Sequence, residues 1–295
     1  FMFRDTRPEL VVGLFKLHAD RVRHYVEDPS IGHQKVEEIL DAAHALSLQC
    51  RRDTAIRKLT RPEQEEQALA RALPPKDPYE RLHKRPDYKA PDLTQAPLEP
   101  EADLLLFFAD HNPRLSDWQK DLLHIVHEQA QYFLPQIETK ILNEGWASYW
   151  HHKIMHSLDL PEDLHIEFLV HHNQVVRPHP AEVNPYHLGF RIWHDIVRRF
   201  DEPTPDEIKL YGPPDMSGMR KIFEVRETDR DVSFLRRFLT PDLMRELDMF
   251  EHRRERDERV VSRVARDEAE GVKQTLLQNV GLGTVPVIQI VDADH

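Results

Sequence analysis

The clearest helical pattern in this 295-residue chain lies between residues 116 and 157. Apolar side chains recur there at the three- and four-residue spacing of amphipathic helices. Ser116, with a glutamine three residues later, forms a capping box that predicts a helix start. Pro135 interrupts helical hydrogen bonding, so the first helix is expected to run to about Leu134 and a second to begin near Thr139. A short turn makes two helices antiparallel neighbours, and we therefore expect a helical hairpin.

Weaker patterns predict the elements on either side of this hairpin. The apolar run from Leu104 to Phe108 predicts a short buried helix. Near the C-terminus, residues 221–225 alternate like a strand, and residues 285–291 form the strongest strand pattern; the two are expected to pair. The dense run of both charges over residues 251–267 is interpreted as a solvated face. We therefore expect a mainly α fold with a small C-terminal α+β module.

Composition divides the chain into four segments. Seven prolines and few apolar residues mark an extended linker over residues 73–103. A helical segment over residues 1–72 is expected to precede this linker. A helical core domain that contains the hairpin is expected over residues 104–215, and the α+β module over residues 216–295.

Net charge and cysteine content indicate which partners and which cellular location to expect. The chain has 52 acidic and 40 basic residues and a net charge of -12. This charge argues against nucleic acid as the main partner, because phosphate binding needs clustered cations. Cys50 is the single cysteine, so no intrachain disulfide is possible and a cytoplasmic location is expected. No run of about 18 apolar residues occurs, so no transmembrane segment is expected.

Two polar stripes on the hairpin carry the candidate chemistry. The stripe on the first helix holds ligand-type side chains at helical spacing: His124, His127, Glu128 and Gln131. On the second helix, Glu144, Ser148 and His151 share a stripe in the same way. Facing stripes would bring two carboxylates and an imidazole together, which is costly if they are buried unpaired. Either a bound cation or a hydrogen-bonded polar network offsets that cost.

The cation interpretation assigns Glu128, Glu144 and His151 as metal ligands. His172, further along the chain, is an additional candidate ligand. Carboxylate and imidazole ligands suit zinc, iron or manganese. Glu128 then serves as a ligand or as the general base that activates a bound water. In the alternative interpretation, Glu128 caps a neighbouring helix or pairs with an arginine or lysine from it, and His151 hydrogen-bonds a backbone carbonyl. Twelve of the 19 histidines lie between residues 111 and 194, and most are expected on the solvated surface.

A second candidate site lies at the start of the second helix, where free backbone amides form an anion pocket. Its predicted members are Gln136, Thr139 and Lys140, although capping alone also explains Thr139. Four neighbouring residues are further candidates for ligand binding: Asn143, Trp146, Asn184 and Tyr186. Tryptophan is more often a core residue than a ligand contact. Asn184 and Tyr186 flank a proline, so they also fit a rigid turn.

Three stretches of the sequence carry a resemblance to a known family. They are Asn-Glu-Gly-Trp-Ala-Ser-Tyr-Trp-His at residues 143–151, Asn-Pro-Tyr-His-Leu-Gly-Phe at residues 184–190, and Phe-Leu-Thr-Pro at residues 238–241. All three are similar to signatures of the stage V sporulation protein R family of bacteria. Members usually carry a preceding His-rich N-terminal region, which is expected to be missing here. The hairpin also resembles a gluzincin metallopeptidase more loosely, with Gln131 in place of the second histidine.

The family resemblance implies a bacterial protein tied to spore-cortex formation and stress survival. It leaves the reaction open, so two hypotheses follow. In the first, the chain is a metal-dependent hydrolase that acts on a peptide-like or peptidoglycan-related bond, with a peptidoglycan precursor as its partner. In the second, it is a non-enzymatic regulatory or scaffold protein whose hairpin binds a protein partner or an anionic ligand.

Overall fold

The computed structural model describes residues 8–51, 57–72, 91–94, 97–179, 182–249, 251–255, 258–262 and 266–293. The described chain is mainly helical, as predicted, and none of its helices combines the length and apolar character that a membrane crossing requires. The helices are α1 (Val11–Glu27), α2 (His33–Ala45), α3 (Arg61–Ala72), α4 (Leu104–His111), α5 (Asp117–Ile137), α6 (Lys140–Ser157), α7 (Glu162–Val176), α8 (Pro185–Asp201), α9 (Pro205–Tyr211), α10 (Gly218–Thr228), α11 (Asp231–Phe238), α12 (Pro241–Glu246) and α13 (Arg266–Asn279). The strands β1 (Glu251–Glu255) and β2 (Glu258–Ser262) form an antiparallel ribbon.

The chain forms two compact units, and the border between them falls within α5. We call them the N-terminal unit and the C-terminal unit. The N-terminal unit comprises the described residues between Pro8 and Leu134, together with those from Pro286 onward. The C-terminal unit comprises the described residues between Pro135 and Val285.

Helices α6 and α8 form the centre of the C-terminal unit. Their apolar faces share a core with α10, α11, α12 and α13, in which Trp193 and Phe234 are fully buried. The two helices cross at Gly145 and Gly189, where a Cβ atom built on Gly145 would lie 2.3 Å from the backbone of Gly189. Glycine permits this close approach because it has no side chain. The crossing therefore fixes how the side chains of α6 and α8 meet.

The N-terminal unit packs α1, α2, α4 and the part of α5 up to Leu134. Leu105 and Leu122 are fully buried, and each belongs to an apolar cluster of this unit. Glu101 and Ile290 form an isolated antiparallel bridge within this unit. These contacts make the unit a small helical assembly with its own apolar core.

The helix boundaries near Pro135 differ in part from the prediction. Helix α5 continues to Ile137 instead of ending at Leu134. Because Pro135 lies in the last turn of α5, its missing N–H costs a single backbone hydrogen bond. The hydroxyl of Thr139 donates to the carbonyl of Pro135 at 2.7 Å. Helix α6 begins at Lys140, as expected. The hairpin pairing stays a prediction; within the C-terminal unit, α6 packs mainly against α8.

Both strand predictions near the C-terminus are wrong. Residues 221–225 lie in α10, where Ile222 and Val225 are buried at helical spacing. Five alternating residues are too few to distinguish a strand period from a helical one. Residues 285–291 contribute one bridge, at Ile290, because they have no partner strand among the described residues. The ribbon of β1 and β2 lies instead in the charged run that was expected to be a solvated face.

Most of the expected linker lies outside the described residues, namely residues 73–90, 95 and 96. Its last residue, Asp103, is buried and caps α4 by accepting a hydrogen bond from the backbone N–H of Leu106 at 3.1 Å. The apolar run that follows forms α4, so that helix prediction is confirmed. The division of the chain into four segments stays a prediction.

Candidate functional site

Helix α8 begins with a buried cap, Asn184. Its side-chain oxygen accepts a hydrogen bond from the backbone N–H of Tyr186 at 2.9 Å. Its side-chain nitrogen donates to the carbonyl oxygens of Val175 and Arg177, both at 2.8 Å. Asn184 therefore joins the end of α7 to the start of α8, which is a structural role. Its predicted role in ligand binding stays a prediction.

The Asn184 cap places Tyr186 beside Glu144 of α6. The interaction of its phenol hydroxyl with the carboxylate of Glu144 raises the pKa of Tyr186, and burial and the negative charge of Glu144 contribute to the shift. The indole N–H of Trp193 donates to the carbonyl of Leu142 at 3.2 Å. The stretches at residues 143–151 and 184–190, which both carry the family resemblance, are therefore in contact where α6 and α8 cross.

The predicted anion pocket at the start of α6 holds a carboxylate of the protein itself. Asp231, the first residue of α11, accepts hydrogen bonds from the backbone N–H groups of Ile141 and Leu142, both at 2.9 Å. Burial raises the pKa of Asp231 to about 6, although the amide bonds favour its charged form. Two of the amides at this pocket therefore already have an acceptor within the protein, and the binding of an external anion here stays a prediction. Sequence reasoning missed Asp231, which lies 90 residues from its partner Ile141.

The other residues predicted near this pocket have varied surroundings. Thr139 is buried, and its hydroxyl oxygen accepts a hydrogen bond from the side chain of Asn143 at 2.8 Å. Lys140 is exposed and Gln136 is half-buried. Trp146 packs edge-on against two aromatic rings whose centroids lie 5.2 Å away, which is a core-packing role. The ligand-binding roles of these residues stay predictions.

The candidate base Glu128 belongs to the N-terminal unit. Its carboxylate hydrogen-bonds the buried ring of His18 on α1, with 2.7 Å between Oε2 and Nε2. In the same unit, Nε2 of His127 lies 2.8 Å from Oδ2 of the buried Asp103. The polar stripe of α5 thus takes part in a hydrogen-bonded network, and the partner of Glu128 is a histidine instead of the expected arginine or lysine.

A group of histidines lies where α6, α7 and α8 meet in the C-terminal unit. We call it the histidine cluster, and its members are His151, His152, His156, His165, His172 and His194. The rings of His151 and His172, both predicted metal ligands, have centroids 5.8 Å apart. Sequence reasoning missed His152 and His194, although the density of histidines in this part of the chain was a signal for them.

Two members of the histidine cluster have a buried ring nitrogen without a hydrogen-bond partner, namely Nε2 of His172 and Nε2 of His194. Burial lowers the pKa of each ring to about 4, and neighbouring histidines and cations contribute to the shift. Burial also lowers the pKa of His152. At neutral pH these imidazoles are therefore uncharged, which is the form that binds metal ions.

The metal ligands predicted from the sequence are distributed over separate places. His151 and His172 lie in the histidine cluster, whereas Glu128 lies in the N-terminal unit. Glu144 is seven residues before His151 on α6, about two helical turns or roughly 10 Å along the axis. In the part of the chain that the structure describes, no three His, Cys, Asp or Glu side chains form a preassembled metal site. The complete ligand set stays a prediction.

These features define a mainly helical protein in which two sequence stretches hold α6 against α8 beside a histidine cluster. The chain belongs to the SpoVR-like family: the family described as SpoVR like protein matches residues 1–285. It is also 33% identical over 247 residues to "Uncharacterized protein YcgB" of Escherichia coli (strain K12), which covers 74% of this chain and 46% of that protein. The chain thus spans about half the length of this curated relative. No solved structure matches the chain.

Proposed function

We propose that the chain is a non-enzymatic regulatory or scaffold protein. The observation that carries the proposal is the interaction of the Glu144 carboxylate with the Tyr186 hydroxyl. It gives Glu144, the first candidate metal ligand on α6, a structural partner within the protein. Asn184 and Asp231 have structural partners in the same way. The residues of the family stretches therefore hold α6 against α8. We call these two packed helices the frame, and we place the function on its exposed surface.

The family resemblance supplies the setting of this proposal. Relatives in the stage V sporulation protein R family are tied to spore-cortex formation and stress survival, so we place the chain in that response, in the cytoplasm. A protein partner fits the exposed apolar side chains of α7, among which Ile166 and Val170 lie four residues apart on one face of the helix. Exposed apolar residues that share a face can contribute to a site that binds another protein.

A metal-dependent hydrolase is the second candidate function, and the approach of His151 to His172 favours it. In this version, a zinc, iron or manganese ion is bound by these histidines together with Glu144. Such an ion would supply Lewis-acid activation of a bound water for hydrolysis of a peptide-like or peptidoglycan-related bond. This candidate makes Glu144 indispensable for metal binding, whereas the regulatory proposal does not.

Replacing Glu144 with alanine distinguishes these two functions. Under the regulatory proposal, the variant keeps its helical circular dichroism and loses up to about 1 kcal/mol in the free energy of unfolding, because the half-buried hydroxyl of Tyr186 loses its interaction with the carboxylate. Its metal content, measured by elemental analysis of protein purified without chelators, equals that of the unaltered protein. Urea unfolding gives the change in stability.

Tyr186→Phe is the matched control, because it removes the other partner of the same interaction. It is expected to cost a similar free energy, and the double variant is expected to cost less than the sum of the two single variants. A folded Glu144→Ala variant that loses a stoichiometric metal ion would contradict the regulatory proposal and support the hydrolase.

A further inference from the structure

Two pairs of rings in the histidine cluster lie at the spacing of two ligands to a single ion. His152 is on α6, His172 on α7 and His194 on α8. The ring centroids of His152 and His172 are 5.2 Å apart, and those of His152 and His194 are 5.6 Å apart. Two imidazoles that bind one tetrahedral zinc ion through nitrogens at about 2.0 Å have centroids about 5 Å apart. The observed separations therefore fit two ligand pairs that share His152.

The buried nitrogens of these rings are a second, independent observation. Nε2 of His172 and Nε2 of His194 are buried without a hydrogen-bond partner, and His172 is only 5% exposed. Buried polar atoms nearly always have a partner, so an orphaned pair on neighbouring helices indicates a bound group. Phe190 packs against all three rings, with centroid distances from 4.5 to 5.4 Å.

We propose that His152, His172 and His194 bind one zinc-type divalent cation where α6, α7 and α8 meet. A ligand set of imidazoles without thiolates or carboxylates suits zinc and also accepts cobalt, nickel and copper. Three protein ligands leave one coordination position for water or for the nearby ring of His151. The described side chains do not form a preassembled three-ligand group, so binding requires rotation of the rings about their side-chain torsions.

This site differs from the ligand set of the hydrolase candidate, because Glu144 is not a member. It also does not depend on the regulatory proposal, since a structural cation would serve a scaffold as well as an enzyme. The ion would satisfy both orphaned nitrogens and would tie the three helices together. Metal binding that stabilises the folded state raises the melting temperature.

The proposal is tested by titrating tag-free, metal-free protein with cobalt(II) and recording its visible absorption, which reports tetrahedral coordination. We expect one cobalt ion per chain, displacement by one equivalent of zinc, and a higher melting temperature with zinc. His172→Gln and His194→Gln are each expected to weaken cobalt binding about tenfold or more. Circular dichroism checks that both variants keep their helical content.

Two further variants are the controls for this titration. His33→Gln changes an exposed histidine outside the cluster and is expected to bind cobalt like the unaltered protein. Glu144→Ala is also expected to retain cobalt, even though it loses stability. The proposal is overturned if the unaltered protein binds no cobalt, or if it binds several ions weakly and equally well in both cluster variants. Loss of cobalt from Glu144→Ala with retention in His194→Gln would overturn the three-histidine set as well.

Discussion

Replacing Gly145 with alanine is expected to lower the free energy of unfolding by about 3 kcal/mol or more, because overpacking is not relieved where the contacts are backbone atoms. A Cβ atom at this position would lie 2.3 Å from the Cα and carbonyl carbon of Gly189 and 2.8 Å from the backbone nitrogen of Phe190. No side-chain rotation removes these overlaps, so α6 and α8 must separate. Chemical denaturation followed by circular dichroism measures the loss.

The control for this prediction is Gly271→Ala in the same unit. Gly271 lies within α13, and a Cβ atom there would meet no atom within 4 Å. Alanine has the higher helix propensity, so this variant is expected to gain up to about 1 kcal/mol. Equal stabilities of the two variants would show that α6 and α8 do not cross at Gly145.

Removing the carboxylate of Asp231 is expected to have the second largest effect. Asp231→Ala leaves the backbone N–H groups of Ile141 and Leu142 without the acceptor that now lies 2.9 Å from each. A buried donor without a partner costs about 1–3 kcal/mol, so we expect a loss of about 3 kcal/mol for the pair. Urea unfolding measures it, and Asp242→Ala, which changes an exposed carboxylate on α12, is expected to change stability by less than about 0.5 kcal/mol.

The pH dependence of Asp231→Asn tests the same contact in another way. Burial raises the pKa of Asp231 from 3.8 to about 6. The stability that this group contributes is therefore fully present below pH 3.8 and is lost as the pH rises through 6. The unaltered protein should thus lose stability relative to Asp231→Asn between pH 4 and pH 7, since asparagine does not ionise. A constant difference over this range would contradict the assignment.

Elements with local signals could be predicted from the sequence. The capping box at Ser116 and the apolar run after Asp103 mark helices that the structure contains. A short run such as residues 221–225 fits both the strand period and the helix period. The sequence alone does not decide between the two, and in the structure these residues form part of α10. Tertiary packing favours the helix here, because it places Ile222 and Val225 in the core of the C-terminal unit.

The candidate site was predictable only in part, because its contacts are between residues far apart in the chain. The spacing of His151 within α6 is local, but its neighbour His172 is on another helix. Nothing in the sequence near residue 140 indicates that Asp231 caps α6. Side chains of suitable type were identified from the sequence, whereas their partners are set by the packing of α6 against α8.

Native-state hydrogen exchange can establish whether α6 and α8 form one cooperative frame. If the Gly145 crossing holds these helices together, the amides of α6 and α8 will exchange last within the C-terminal unit, with the same opening free energy. Gly145→Ala will then lower the protection of both helices by the same amount. Exchange from α6 by local opening, with α8 still protected, would contradict a shared frame.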